Sequence, residues 1–178
     1  MKTYIGRGNR GILITVCGLL AAVAVLAVLN RGDAALKRAL EENREFLLKA
    51  EGETLVTVSL QDIVDMQPVE FSTRLATSIS APREVSLRGV ELRLIYESLG
   101  IDVSEASLFA VRGLDSYFSP LTYAEVSAAE KVYICIAMDG EWLQDKSSGG
   151  WGPFLLVIKD ELFAQRWCKY VEEIDAQI

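Results

Sequence analysis

Histidine is absent from all 178 residues. That removes Ser-His-Asp and Cys-His catalysis and every imidazole metal site. Cysteine occurs three times, as Cys17, Cys135 and Cys168, with no C-x-x-C or other metal-ligand spacing. Positive charge is scarce beyond the first quarter of the chain. Residues 1–50 carry 8 Lys/Arg against 4 Asp/Glu, whereas residues 51–178 carry 10 against 21. An acidic domain of this kind is soluble and repels phosphate polymers, so no nucleic-acid partner is expected. Internal repeats and long low-complexity tracts are also missing, and about 130 residues beyond the first 50 suffice for one core.

What is present begins with GILITVCGLLAAVAVLAVL, Gly11 to Leu29, nineteen residues without a charge. As a helix this run is about 28 Å long, close to the hydrocarbon thickness of a bilayer. Lys2, Arg7 and Arg10 precede it, while Arg31, Lys37 and Arg38 beyond it are mixed with Asp33, Glu41 and Glu42. The short basic end is therefore expected in the cytoplasm and the remainder outside. A cleaved signal peptide is the rival reading, but its apolar core is usually shorter and is followed by a small-x-small site. Here the A-x-A-like triplet Ala22-Val23-Ala24 lies inside the run. The expected organisation is a basic tail (1–10), a transmembrane signal anchor (11–30), a juxtamembrane amphipathic helix (31–52) and an extracytoplasmic domain (53–178). The localisation is a single-pass cell-membrane protein with its N-terminus inside.

Within the juxtamembrane stretch, Leu36, Leu40, Leu47 and Leu48, with Ala39 and Phe46, form an apolar stripe that predicts a helix over 34–49, capped by Asp33 and ended before Gly52. From Glu53 the pattern turns β-rich. Thr54–Val58 predicts a strand, Ser59 a cap for a short helix through Met66, and the alternation of Val69, Phe71, Thr73, Leu75 and Thr77 a half-buried strand over Val69–Ser78. Val85–Leu87 reads as a strand, Val90–Leu99 as a helix closed by Gly100, and Leu108–Val111 with Ser116–Leu121 as a hairpin. A helical turn over Tyr123–Ala128 follows. Val132–Ala137 is wholly apolar and β-branched, a central strand, with Asp139-Gly140 turning the chain after it. Ser147–Gly150 is a loop, and Phe154–Ile158 and Trp167–Ile174 are two last strands. Short helices among antiparallel strands indicate an α+β class. Cys135 and Cys168 both fall in the domain, where one disulfide is allowed but sequence supplies no distance between them; buried free thiols are the alternative.

Four strings in this order resemble the sulfite-oxidase-type molybdopterin-binding domain. Arg88-Gly89-Val90-Glu91-Leu92-Arg93 with Leu99-Gly100 is similar to "GVPL…LL…LG", and Leu114-Asp115-Ser116-Tyr117 with Leu121 and Glu125 to "DGY…L…E". Ile136-Ala137-Met138-Asp139-Gly140-Glu141-Trp142-Leu143 and Gly150-Trp151-Gly152-Pro153 resemble "A…NGEPL…GGP". Arg166-Trp167-Cys168-Lys169-Tyr170-Val171 resembles "KSVKWV". The resemblance spans about residues 54–176 and implies a sulfite-oxidase-like fold, a mixed sheet with short helices, behind the N-terminal transmembrane helix. In that family a cysteine before the "GVPL" helix binds molybdenum. The matching stretch here, Ala76–Arg83, has none, and a hydroxyl is a poor substitute for a soft thiolate. Arg166 and Lys169 match the basic residues that border the cofactor's phosphate, and so become candidates for a residual anion or pterin site. Otherwise they are strand residues facing solvent or pairing with carboxylates.

Other candidates have simpler readings beside them. Asp115 and Asp139-Gly140-Glu141 suggest paired carboxylates but suit turns better. Trp142, Trp151 and Trp167, with Tyr117 and Tyr133, could line a cleft or simply pack. Gly149–Pro153 lacks the Lys-Ser/Thr of a phosphate loop, and Ser147 and Ser148 have no visible base. The expectation is an anchored binding or accessory module with no catalytic residue, metal site or cofactor. Its partners would be the bilayer, through residues 11–29, and an envelope protein or a small ligand. Two alternatives stand beside it: a molybdopterin-dependent oxidoreductase subunit that borrows its metal ligand, and a structural oligomeriser acting through residues 34–49.

Overall fold

The computed structural model describes residues 7–78 and 81–178, and within the first helix the side chains of residues 12, 14–27 and 34 onward. Of the expected basic tail 1–10, residues 1–6 lie outside the described residues, as do Ile79 and Ser80, while residues 7–10 are the first of a helix. Two compact units are present, one up to Ala39 and one from Leu40 to Ile178.

The first unit is helical. Helix α1 (Arg7–Asn43) is continuous, so the expected boundary at Asp33 is not a helix start. Gly32 lowers helix propensity by about 1 kcal/mol but removes no hydrogen-bond donor, so it does not break the helix. The described apolar side chains Ile12, Ile14, Leu19, Leu20, Val23 and Leu26 are all exposed. Among the described residues no helix is long and apolar enough to cross a membrane. The described side chains run unbroken only from Ile14 to Ala27.

The second unit corrects the expectation of a helix to residue 49 and of a domain start at 53. Arg44 takes a left-handed backbone conformation (φ 56°), and the chain leaves α1 as strand β1 (Glu45–Ala50). Phe46, Leu47 and Leu48 are all buried. All three belong to the expected helical stripe, but three consecutive apolar residues equally suit a strand covered on both faces. Glu51 (φ 51°) and Gly52 (φ 81°) then form the tight turn of a hairpin to β2 (Glu53–Ser59), which is where Gly52 is needed.

Several expected elements are found in place. Ser59 and Asp62 form a reciprocal capping box at the start of α2 (Leu60–Asp65), and the alternating segment is β3 (Val69–Leu75), which stops short of the expected Ser78. Strand β4 (Arg83–Glu91) is longer than expected and takes Val90 from the predicted helix, leaving α3 as Leu92–Ser98. Strands β5 (Leu108–Gly113) and β6 (Phe118–Thr122) form a hairpin, followed by α4 (Tyr123–Ser127), also boxed by Thr122 and Glu125. Then come β7 (Val132–Met138), β8 (Glu141–Trp142), a 3-10 turn at Lys146–Ser148, and β9 (Leu155–Ile158). The last predicted strand is two strands, β10 (Cys168–Lys169) and β11 (Val171–Gln177), separated by Tyr170 at φ 55°.

Those two short strands belong to different sheets. One sheet has the order β2-β1-β11-β5-β6, with β1 parallel to β11; the other is β10-β9-β7-β4-β3, with β8 added to β7. The main core draws on both sheets: Phe46, Leu48, Phe109, Val111 and Ile174 from the first, and Ile134, Ile136, Leu156 and Ile158 from the second. The intervening residues Tyr133, Cys135, Leu155 and Val157 belong to a second cluster on the opposite face, covered by Leu143, Trp151, Ala164 and Trp167. Period-2 alternation thus sends successive apolar residues of β7 and β9 to two cores, which explains their unbroken hydrophobicity.

Leu48→Ala should cost about 2–5 kcal/mol in urea unfolding of the full chain, the range for a truncated core leucine. Leu36→Ala, at a side chain 48% exposed in α1, should stay within about 0.5 kcal/mol. Equal effects would contradict the strand assignment of residues 45–50.

Candidate functional site

The resemblance directs attention to the segment before and within β10. Tyr117 donates its hydroxyl to the Gln165 carbonyl, and the buried Ser119 Oγ donates to the Arg166 carbonyl at 2.6 Å. Two side chains of the β6 hairpin therefore hold the approach to β10. Arg166 completes this strap. Its Nε donates to Glu161 Oε1 at 2.8 Å and one Nη donates to Glu125 at 2.7 Å and also to Glu161. The other Nη lies 3.4 Å from the Pro120 carbonyl.

Glu125 is the residue that closes the α4 capping box, so one carboxylate serves Thr122 and Arg166 together. Hydrogen bonding from Arg166, aided by Thr122, holds its carboxyl at about 2 against an ordinary 4.5. The same pairing raises the Arg166 guanidinium, the Glu125 hydrogen bond first among the causes. Chemically this is an ion-pair cluster in which the second Glu161 oxygen, Oε2, is buried without a hydrogen-bond partner. Two carboxylates thus take the Nε and one Nη of Arg166, whose side chain stays 37% exposed.

Lys169 behaves differently. Its Nζ sits 3.7 Å from the centroid of the Trp151 ring, and burial lowers its pKa, partly opposed by Asp115. Beside it in the chain, the Tyr170 ring receives Lys146 Nζ at 5.5 Å. Arg166 and Lys169 therefore have separate partners and form no joint cradle. These cation–aromatic pairs went unforeseen because each joins the 142–152 segment to the 168–170 segment. Only the cation–aromatic content of the two segments could have hinted at them.

The two domain cysteines cannot bridge. Cys135 lies in β7 and Cys168 in β10 with β9 between them, and they belong to the clusters on opposite faces of the sheet. Both are free and fully buried. Burial pushes the Cys135 thiol strongly up and the Cys168 thiol to about 12.

The turn reading of the candidate carboxylates holds. Asp115 accepts from the Tyr117 N–H at 3.1 Å, and Asp139 accepts from the Ser86 N–H and from Arg83 while turning β7 into β8. Among the described residues no group of His, Cys, Asp and Glu could hold a metal ion. The aromatic residues do not share a cleft: Trp167 and Tyr133 are buried in the second cluster, whereas Trp142 and Tyr117 are exposed.

These features test the fit of a molybdopterin. The stretch Ala76–Arg83 offers hydroxyls and no thiol, the two thiols of the domain are sealed inside strands, and the matching arginine is paired with two carboxylates. The residues present do not fit the group.

No family model matches the chain, and no curated protein matches it. Among solved structures it is similar to the crystal structure of the sulfane dehydrogenase SoxCD from Paracoccus pantotrophus. The TM-score is 0.61 and the identity 13%, over 75% of this chain and 38% of that one. The likeness is one of fold alone, and this chain spans well under half of its neighbour's length.

Two outcomes follow for the site. Glu125→Gln should cost about 1–2 kcal/mol at neutral pH, a figure reduced for the partial exposure of Arg166. Because the folded carboxyl is depressed, that difference should be full above about pH 4.5 and vanish as the pH falls through about 2, read by denaturation of both proteins. Separately, a thiol reagent should leave Cys135 and Cys168 untouched in the native chain and label both once guanidinium unfolds it. Absence of labelling after unfolding without reductant would show a bridge.

Proposed function

We propose that this chain is a membrane-anchored binding or accessory module, built on a sulfite-oxidase-type scaffold, that performs no molybdenum redox chemistry. One observation carries the reading. The loop that would present a metal-binding thiolate has none, while both domain cysteines are locked in strands with raised pKa values. A buried, protonated thiol is neither a metal ligand nor a nucleophile. Arg166 supports the same reading, since its charge is spent on Glu125 and Glu161.

The anchor part of the reading rests on the charge-free run Gly11–Leu29 and on the exposure of the side chains described within it. A helix that displays isoleucine, leucine and valine on all sides has no stable place in water, and a bilayer offers it one. The basic flank sets the N-terminus inside and the acidic domain outside. There the domain would meet an envelope protein or a small ligand.

Protein isolated from its native host should contain no stoichiometric molybdenum, and acid treatment should release no fluorescent pterin. Retained molybdenum overturns the redox-silent reading. The chain should also remain with membranes through a carbonate wash, and removal of residues 1–30 should release it. Release of the unaltered chain by the wash overturns the anchor.

A further inference from the structure

The second sheet carries one charged row unconnected with Arg166 and Lys169. Strand register places Glu70 opposite Arg88, Arg88 opposite Ala137, and Ala137 opposite Trp142. Directly opposed residues in a sheet share a face, so β3, β4, β7 and β8 present these four side chains side by side. Ala137 contributes only a methyl group. The gap it leaves belongs to a cavity of about 240 Å³ lined by Glu70, Ser86, Arg88, Ala137 and the Gly140 turn.

Arg88 is unusual among the basic residues of the domain. Its guanidinium carbon stands 5.1 Å from the centroid of the Trp142 ring, and its Nε is shut off from water with no hydrogen-bond partner. No carboxylate pairs with it among the described residues, although acids outnumber bases two to one beyond residue 50. Glu70, the acid directly across from it, instead accepts a 2.5 Å hydrogen bond from Ser86 Oγ. With no hydrogen bond or ion pair to the guanidinium among the described residues, its terminal N–H groups keep their donors for a ligand in the cavity that Arg88 lines. The cation–π contact with Trp142 holds the guanidinium beside the cavity.

A simple anion in this cavity would meet the Glu70 carboxylate, and a simple cation would meet Arg88. A ligand that carries both charges one bond-angle apart satisfies both walls. We propose that the Glu70–Arg88–Ala137–Trp142 row is a binding site for a small α-amino acid zwitterion. The α-carboxylate accepts two N–H donors from Arg88, the α-ammonium donates to Glu70, and the α-carbon rests on Ala137. The cavity is below the usual 300–1,000 Å³ of drug-sized pockets, which restricts the ligand to a small side chain. The inference rests on the reading of the chain as a binding module, to which it gives a ligand class.

The test is titration of the full chain in detergent micelles with glycine, read at the Trp142 indole N–H resonance, which Trp142→Phe identifies. Glycine should shift that resonance saturably. Acetate and methylammonium, each with one charge, should bind at least about tenfold more weakly. Arg88→Gln and Glu70→Gln should each weaken glycine by about tenfold or more, with unfolding midpoints close to the parent's. Ala137→Leu, which fills the floor and leaves both charges, should abolish the shift. No saturable shift, equal binding of acetate, or undiminished binding by Arg88→Gln or Ala137→Leu overturns the proposal. Molybdenum analysis tests the module reading independently, so the two can fail apart: retained metal would not create or remove the glycine response.

Discussion

Burial of the second sheet on both faces is the constraint on which the rest of the domain depends. In β7 and β9, Ile134, Ile136, Leu156 and Ile158 face the main core while Tyr133, Cys135, Leu155 and Val157 face the second cluster. A sheet clad on both sides cannot place a polar group in its centre without a partner, so these strands contain none but the Tyr133 hydroxyl. It also cannot slide. Moving β7 by one residue would exchange the occupants of two cores of different shape. Charged residues of this sheet lie on β3, β4, β8, β10 and the β7–β8 turn, while β7 and β9 carry none.

Much of this was legible in the chain. Ser59 with Asp62, the Asp139-Gly140 turn and the apolar run from Val132 depend on neighbours within a few residues, and local chemistry decides them. Residues 45–50 were not legible, because their character comes from β2 on one side and from β11, more than a hundred residues away, on the other. Phe46-Leu47-Leu48 fits a helical stripe and a doubly covered strand equally well. The division of Trp167–Ile174 into two strands was hidden for a similar reason. Only the left-handed Tyr170 marks where the chain passes from one sheet to the other, and a tyrosine gives no warning of it.

The candidate site shows the same limit. That Arg166 and Lys169 are basic residues near β10 could be read directly; that one is matched by Glu125 and Glu161 and the other lies on Trp151 could not. Their partners come from α4, from the segment after β9 and from the 142–152 loop. Sequence proximity ranked the two residues together, whereas tertiary contacts give them different surroundings. The inertness of the cysteines, by contrast, follows from strand alternation alone once β7 and β10 are placed in one sheet.

The parallel pairing of β1 with β11 bears on how the domain is made. During vectorial synthesis β1 emerges early and can form only its hairpin with β2. Its other edge, between Leu47 and Ala50, stays open until Glu173–Ala176 have been translated. A two-stranded ribbon is marginal in water, and a hydrophobic strand edge left unpaired invites other chains. Closure of the first sheet is therefore among the latest events, and the interval before it is when the nascent domain has most need of a chaperone.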